Sequence, residues 1–200
     1  MDNSNQASLG TLNSAHCPSI IYRFERHHRL PTRKNSLWQI HEGLVRTVTW
    51  DDDGRVIVLG YWGVGSVVGY GIDQMDPYDI QPLTAVSVTS ISLNSALASS
   101  YLLAHQKQTN ELLGLLHCHP MDNRLLRFII WLAQRFGVSK KHGIEVRFLL
   151  THQEIAETLG TNRVTITRLI KQLESNGKLH WSRKRRLIPY QTFDRYGQTP

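Results

Sequence analysis

The chain has 200 residues, 40% of them hydrophobic, enough for one or two domains with a real core. Its 23 Lys and Arg outweigh 16 Asp and Glu for a net charge of +7, which suits a polyanionic partner. Two cysteines, Cys17 and Cys118, are too few for a disulfide framework or a four-thiolate metal site. No stretch approaches the roughly eighteen apolar residues of a membrane span.

The opening "MDNSNQASLG" is polar and lacks an apolar targeting core, so a reduced cytoplasmic location is expected and no membrane partner. Residues 1–18 read as a disordered polar arm. Residues 19–92 read as short strands. "SLWQIHEGLVRTVTW" alternates around Gly43, and "WDDDGRVIVLGYWGVGSVVGYG" places an Asp-Gly turn between two alternating runs, a strong hairpin signal. Gly60, Gly63, Gly65, Gly69 and Gly71 punctuate a tightly turning sheet, and "LTAVSVTSISL" is one more strand. The expectation is a small β-sandwich or barrel. These glycines lie between strands and open no helix, which weighs against a phosphate loop.

At about Leu93 the period changes. Leu93, Leu97, Tyr101, Ala104, Gln108, Leu112 and Leu115 recur every three or four residues, with Leu102, Leu103, Leu113 and Leu116 beside them. This predicts one long helix over residues 93–119, with a stripe wide enough to meet both its own domain and a partner. Leu97, Tyr101, Ala104, Gln108, Leu112 and Leu115 form the face expected to dimerise; an ordinary core helix is the plainer alternative. Pro120 breaks the helix, and "MDNRLLRFIIWLAQRFG" forms the next one, ending at Gly137.

Charge is uneven along the chain. Residues 1–120 carry 8 Lys and Arg against 10 Asp and Glu; from Met121 onward there are 15 against 6, a net of +9. A basic half joined to a mildly acidic half is the footprint of a nucleic-acid domain attached to something else. Within residues 120–200, "GIEVRFLL" suggests a strand leading to "THQEIAETLGTNRVTITRLIKQLESNGKL". Thr151 and Glu154 make a capping box, so a helix begins there. Ile155, Ala156 and Leu159 form its apolar face, and Gly160 stops it. Asn162 caps a second helix. Ile166, Leu169, Ile170 and Leu173 make that helix's buried stripe, while Arg163, Val164, Thr167, Arg168 and Lys171 face away. Asn176-Gly177 closes it.

Two short helices about a tight glycine turn describe a helix-turn-helix, whose second helix meets base edges in the major groove with its N-terminal residues. Arginine there can fork onto guanine O6 and N7, so Arg163 and Arg168 are candidate base readers of double-stranded DNA. Taken alone, the same pattern also fits a solvated charged face. "KLHWSRKRRLIPYQ" then reads as a hairpin whose Arg183, Lys184, Arg185 and Arg186 form a basic wing for phosphates.

This order of parts resembles the bacterial Crp/Fnr transcription-factor family over nearly the whole chain beyond the arm. The likeness is strongest in residues 121–188, where Gln153, Glu154, Ala156, Gly160, Arg163, Thr165 and Arg168 fall on the family's helix-turn-helix pattern. "TNRVTITRL" looks most like the cyanobacterial global nitrogen regulator branch. The resemblance implies an α+β chain: an N-terminal β-roll of the cyclic-nucleotide-binding jelly-roll kind, a dimerisation helix and a C-terminal winged helix-turn-helix. It implies base contacts from Arg163, Val164 and Arg168, and backbone contacts from Thr151, Gln153 and Thr165, to which the outward Thr167 and Lys171 and the wing residues Arg183, Lys184 and Arg185 are added. Val164 stands where the catabolite activator has glutamate and cannot accept from cytosine N4. The implied site is therefore a palindrome closer to GTA–N8–TAC. A homodimer in the cytoplasm, on the nucleoid when bound to DNA, and RNA polymerase as a further partner follow from the same resemblance.

The sensory half departs from the family pattern. Members that bind cyclic AMP carry a Gly-Glu pair and then an arginine for the cyclic phosphate. "GSVVGYGIDQMDPYDIQPLTAV" has neither Glu nor Arg. A buried phosphate needs a charged or densely hydrogen-bonding partner, so cyclic AMP is not expected, and 2-oxoglutarate loses support for the same reason. The cysteine cluster of oxygen-sensing members is missing, and "RLPTRKNSLWQ" shortens the roll. No resident cofactor or metal is expected. The competing readings are a haem or metal sensor using His117-Cys118-His119, His27-His28 or His16-Cys17, and an enzyme. Three consecutive helix residues point in different directions, which disfavours a shared metal, and no nucleophile–base signature or carboxylate pair supports catalysis.

Overall fold

The computed structural model describes residues 20–32, 36–92, 98–182 and 185–196. The expected arm at 1–18, and with it His16 and Cys17, lies outside them, as do Leu97, Arg183 and Lys184. Strands β1 (Ile21–Phe24), β2 (Ser36–Glu42), β5 (Val67–Val68) and β7 (Val86–Ser92) form one antiparallel sheet in the order β1-β7-β2-β5. Strands β3 (Val45–Trp50), β4 (Val56–Trp62) and β6 (Asp79–Pro82) form the second, in the order β4-β3-β6. The expected hairpin joins β3 to β4: Asp51 Oδ1 accepts from Arg55 N at 2.8 Å, and Gly54 takes φ 74. Gly43 turns β2 into β3 at φ 86, where a Cβ would come within 2.2 Å of Ala85 O.

Between the sheets, Trp38, Ile40, Val45, Trp62, Val68, Ile80, Val86 and Val88 make a core of inward-facing strand residues. One element here was not foreseen. After Gly69 a single helical turn, α1 (Tyr70–Asp73), puts Asp73 inside the roll. The expectation that these glycines open no helix is corrected at this point. The turn is too short to leave a periodic signal.

The leucine-rich segment forms α2 (Ala98–Leu116) and the next forms α3 (Met121–Phe136), with Pro120 as its N-cap. The face of α2 expected to dimerise is largely turned inward, a correction. Gln108, Leu112 and Leu115 are buried by the chain itself. Gln108 donates to Tyr61 O on β4 and accepts from Arg135 of α3, while the leucines join the α3 core. Tyr101 is half-buried and bonded to Gln39 at 3.0 Å; Ala104 is exposed. Among the described residues of α2 the large apolar side chains left exposed are Leu102, Leu103 and Leu113, at 47%, 71% and 54%. The stripe is wide enough for two faces, and packing against β4 and α3 takes the one with the larger share of the periodic residues.

His105 of α2 stacks on Trp62 with centroids 3.9 Å apart and lies 3.4 Å from Asp73 Oδ1. Burial lowers His105 to a pKa of about 4 and raises Asp73 to about 6.

The C-terminal half adds a four-stranded sheet, β10 (His180–Trp181), β11 (Arg186–Pro189), β9 (Gly143–Glu145) and β8 (Val138–Lys140), and helices α4 (His152–Leu159), α5 (Arg163–Ser175) and α6 (Tyr190–Tyr196). The expected strand "GIEVRFLL" shortens to β9, which pairs with both β8 and β11. Beyond it Val146, Phe148 and Leu150 still alternate into the core without forming a ladder. Helix α6 was not anticipated.

The two halves share one core. Val48, Tyr61 and Leu83 from the roll pack with α3, α4 and α5. Polar contacts reinforce the joint. Tyr61 Oη and Thr158 Oγ1 of α4 are 2.5 Å apart, and burial pushes the Tyr61 phenol up. Arg46 of β3 donates to Glu157 of α4 at 2.8 Å and to Gln81 at 2.9 Å. The joint fixes α4, and through α4 the helix that follows it, relative to the roll.

Candidate nucleic-acid interface

The two caps read from sequence form as written. Thr151 Oγ1 accepts from Glu154 N at 3.1 Å, and Glu154 Oε2 accepts from Thr151 N at 2.6 Å. Gly160 ends α4 at φ 65, a left-handed position with open space around it, so its value is conformational. Asn162 Oδ1 accepts from Thr165 N at 2.8 Å and starts α5. Ile166, Leu169, Ile170 and Leu173 are buried, which rotates the opposite face outward.

On that face Arg163, Arg168 and Lys171 are exposed, and Val164 is 78% exposed. Thr165 is half-buried. Thr151 and Gln153 are exposed at the start of α4, with Gln153 Nε2 donating to Glu157 at 3.1 Å. Thr167 differs from expectation. Its hydroxyl donates to Arg163 O at 2.9 Å, so its only proton is already engaged. His152 Nδ1, 2.8 Å away, must then be the donor to Thr167 Oγ1. A phosphate contact from Thr167 would require breaking its bond to the helix backbone.

The wing also divides. Arg185 is exposed, and its backbone closes the hairpin tip with Ser182, by Ser182 N to Arg185 O at 2.8 Å and Arg185 N to Ser182 Oγ at 3.1 Å. Arg186, read from sequence as part of the basic wing, is buried instead. Its Nη1 donates to Phe148 O at 3.3 Å, and its guanidinium lies 6.0 Å from the Trp181 ring centroid. Arg186 opens β11 and pairs across to Trp181, which turns its side chain inward, while Arg185 lies before the strand.

A cleft of about 620 Å³ runs between the start of α4, the start of α5 and the wing, lined by Thr151, His152, Gln153, Arg163, Ser182 and Arg186 among others. His152 and Ser182 were not foreseen. A histidine just inside a capping box carries no signal until α5 packs over it. Burial first, and then the Arg163 charge, lower the His152 pKa. Arg186 is lowered by burial and then by the Arg26 charge. Exposed Arg163, Arg168 and Lys171 with two helix N-termini behind the cleft make a surface suited to a polyanion, with side chains free to reach past it.

Among the described residues, neighbouring sensor candidates point apart. His117 Nδ1 lies 2.9 Å from Leu113 O, and Cys118 Sγ donates to Gly114 O at 3.7 Å, so each turns back on a different carbonyl of α2. Among the described residues no three His, Cys, Asp or Glu side chains lie together as a metal site, and no helix is long and apolar enough to cross a membrane.

Comparison with known proteins agrees with this geometry. Residues 123–190 match the Crp-like helix-turn-helix domain. The chain is 37% identical over 162 residues to the regulatory protein CysR of Synechococcus elongatus, covering 80% of this chain and 78% of that one. It is 36% identical over 78 residues to the global nitrogen regulator of a Synechocystis species, covering 39% of this chain and 35% of the relative. In fold it matches a CRP-family transcriptional regulator from Thermus thermophilus with a TM-score of 0.76 at 21% identity, over 89% of this chain and 97% of the other. The chain belongs to the Crp/Fnr family of transcriptional regulators.

Proposed function

We propose that this regulator acts as a homodimer on a palindromic DNA site of the GTA–N8–TAC kind, without cyclic AMP. The observation that carries the reading is the exposed N-terminal face of α5, where Arg163, Val164 and Arg168 stand clear of the fold. Arg163 and Arg168 read bases, and Val164 offers a methyl-sized apolar contact. Thr151, Gln153, Thr165, Lys171, Arg183, Lys184 and Arg185 grip the backbone. RNA polymerase is the partner through which such a factor regulates. Selection from a randomised palindrome library at fixed salt tests the site; a library that emerges unenriched rejects it.

The second copy is assigned to the outward side of α2, where Leu102, Leu103 and Leu113 are uncovered. A twofold dimer there sets the recognition helices one DNA turn apart, ~34 Å. Leu103→Glu combined with Leu113→Glu should convert the protein to a monomer in sedimentation experiments at micromolar concentration, and cooperative DNA binding should go with it. A wild-type monomer bound one chain per site would reject the assembly.

The stretch that supplies the phosphate-binding Glu and Arg in cyclic-nucleotide-binding members argues against cyclic AMP here. Residues 65–86 supply neither Arg nor Glu, and the carboxylates they do supply, among them the half-buried Asp73 and the buried Asp79, would repel a phosphate. Cyclic AMP at millimolar excess should move neither the melting temperature nor the DNA affinity. A shift of several degrees would overturn this, because a ligand that binds the native state must stabilise it.

A further inference from the structure

Trp38, Trp62, Tyr78 and Ile80 fill the interior of the roll. Outside it, at the joint between the two halves, lies a cavity of about 560 Å³, within the size range of small-molecule sites. Leu44, Val64, Phe136 and Phe148 form its apolar walls. Phe136 and Phe148 meet edge to face with centroids 6.1 Å apart, and Val64 is 71% exposed. Gly63 keeps room for the Phe136 ring, since a Cβ there would come within 3.0 Å of it.

Two arginines enter this cavity from different elements. Arg135, at the end of α3, donates to Gln108 at 2.9 Å and pairs with Glu111. Arg147 lies between β9 and α4. Its Nε is 3.6 Å from Glu145, which also lies 3.8 Å from Lys140 Nζ, and its side chain stays 60% exposed. Among the described residues, none of the side chains lining the cavity is a carboxylate. Two guanidinium groups beside two phenyl rings suit an anion with an apolar body: the charges fork onto a carboxylate, and the rings pack on what carries it.

The cavity backs onto the DNA cleft. Phe148 lines the cavity, while Leu149 and Leu150, the next two residues, line the cleft. The Phe148 carbonyl accepts from Arg186 Nη1 at 3.3 Å, and Arg186 lines the cleft as well. The segment from Arg147 to Leu150 is thus a wall shared by both spaces, and it leads straight into α4.

We propose that this cavity is an effector site for a small organic carboxylate with an aromatic body. Arg147 binds the carboxylate, Arg135 adds its charge, and Phe136 and Phe148 hold the body. A ligand there ties the roll to the segment before α4 and favours the arrangement in which α4, α5 and the wing already converge. The coupling to DNA rests on the DNA-binding reading above; the binding of the carboxylate does not.

The test uses the full-length protein and three probes that share one body: phenylbutyrate, its neutral amide, and phenylbutylamine. At about ten times its Kd the carboxylate should raise the melting temperature by roughly 3–6 °C. The amide and the amine should leave it unmoved. Arg147→Met should remove the effect, while Arg147→Lys, which keeps the charge, should retain most of it. Both variants should melt as wild type does without ligand, because the side chain they replace is exposed. Phenylbutyrate should also raise affinity for the selected palindrome about 5-fold, the low end of ordinary coupling, and have no effect on Arg147→Met.

A carboxylate that shifts nothing overturns the proposal. So do equal shifts by all three probes, or a shift that survives Arg147→Met. A melting shift with palindrome affinity unchanged overturns the effector role. Failure of the DNA-binding reading looks different: the melting shift would stand, and no palindrome would be preferred over random DNA.

Discussion

Replacing Arg163 or Arg168 with alanine should cost ~1–3 kcal/mol of specific DNA binding each and relax discrimination at one base pair of the half-site. Both side chains are exposed on α5 and outside its buried stripe, so the variants should fold and melt as wild type does. Arg185→Ala should behave otherwise, weakening specific and non-specific DNA alike and lowering the salt slope by about one. Val164→Glu is a sharper form of the same experiment. At 78% exposure the new carboxylate has nothing in the fold to clash with, and it adds an acceptor for cytosine N4. Preference should move toward the catabolite-activator half-site. The measurement is selection of each variant on a randomised palindrome at fixed salt. If both arginine-to-alanine variants select the wild-type sequence, these arginines clamp phosphates and the base-reading role is lost.

Arg46→Ala should be the most damaging of the polar changes at the joint, costing about 3 kcal/mol of folding stability. The Arg46 side chain is 9% exposed and its partner Glu157 is 18% exposed. Alanine strands that carboxylate with only Gln153 Nε2 at 3.1 Å and leaves Gln81 Oε1 without its donor. For a chain of this size the loss corresponds to a fall of roughly 6–12 °C in melting temperature. Arg46→Met combined with Glu157→Leu should recover most of it, since an apolar pair removes both charges together. A double variant as unstable as Arg46→Ala would show that the site needs the charges for a reason other than mutual neutralisation. Because α4 carries Glu157 and Thr158 toward the roll while its N-terminus faces the cleft, Arg46→Ala should also weaken DNA binding without altering the selected sequence.

The sequence alone was sufficient for the helix-turn-helix, because every signal there is local. Capping Thr151 and Asn162, the left-handed Gly160 and the stripe Ile166, Leu169, Ile170 and Leu173 act within a few residues of chain, and the structure places each as its chemistry requires. The Asp-Gly hairpin at Gly54 was legible for the same reason. Tertiary packing decided what local pattern leaves degenerate. The leucine-rich helix offers two apolar faces, and only contact with β4 and α3 shows that Gln108, Leu112 and Leu115 belong to the chain's own core, leaving Leu102, Leu103 and Leu113 outside. A run of basic residues says nothing about direction; pairing of β10 with β11 turned Arg186 inward and left Arg185 exposed. The joint through Arg46 and Tyr61 links residues about a hundred positions apart in the chain, 111 for Arg46–Glu157 and 97 for Tyr61–Thr158. No short-range period records such a separation. It exists because two half-buried surfaces close on each other and their polar groups must find partners once water is gone.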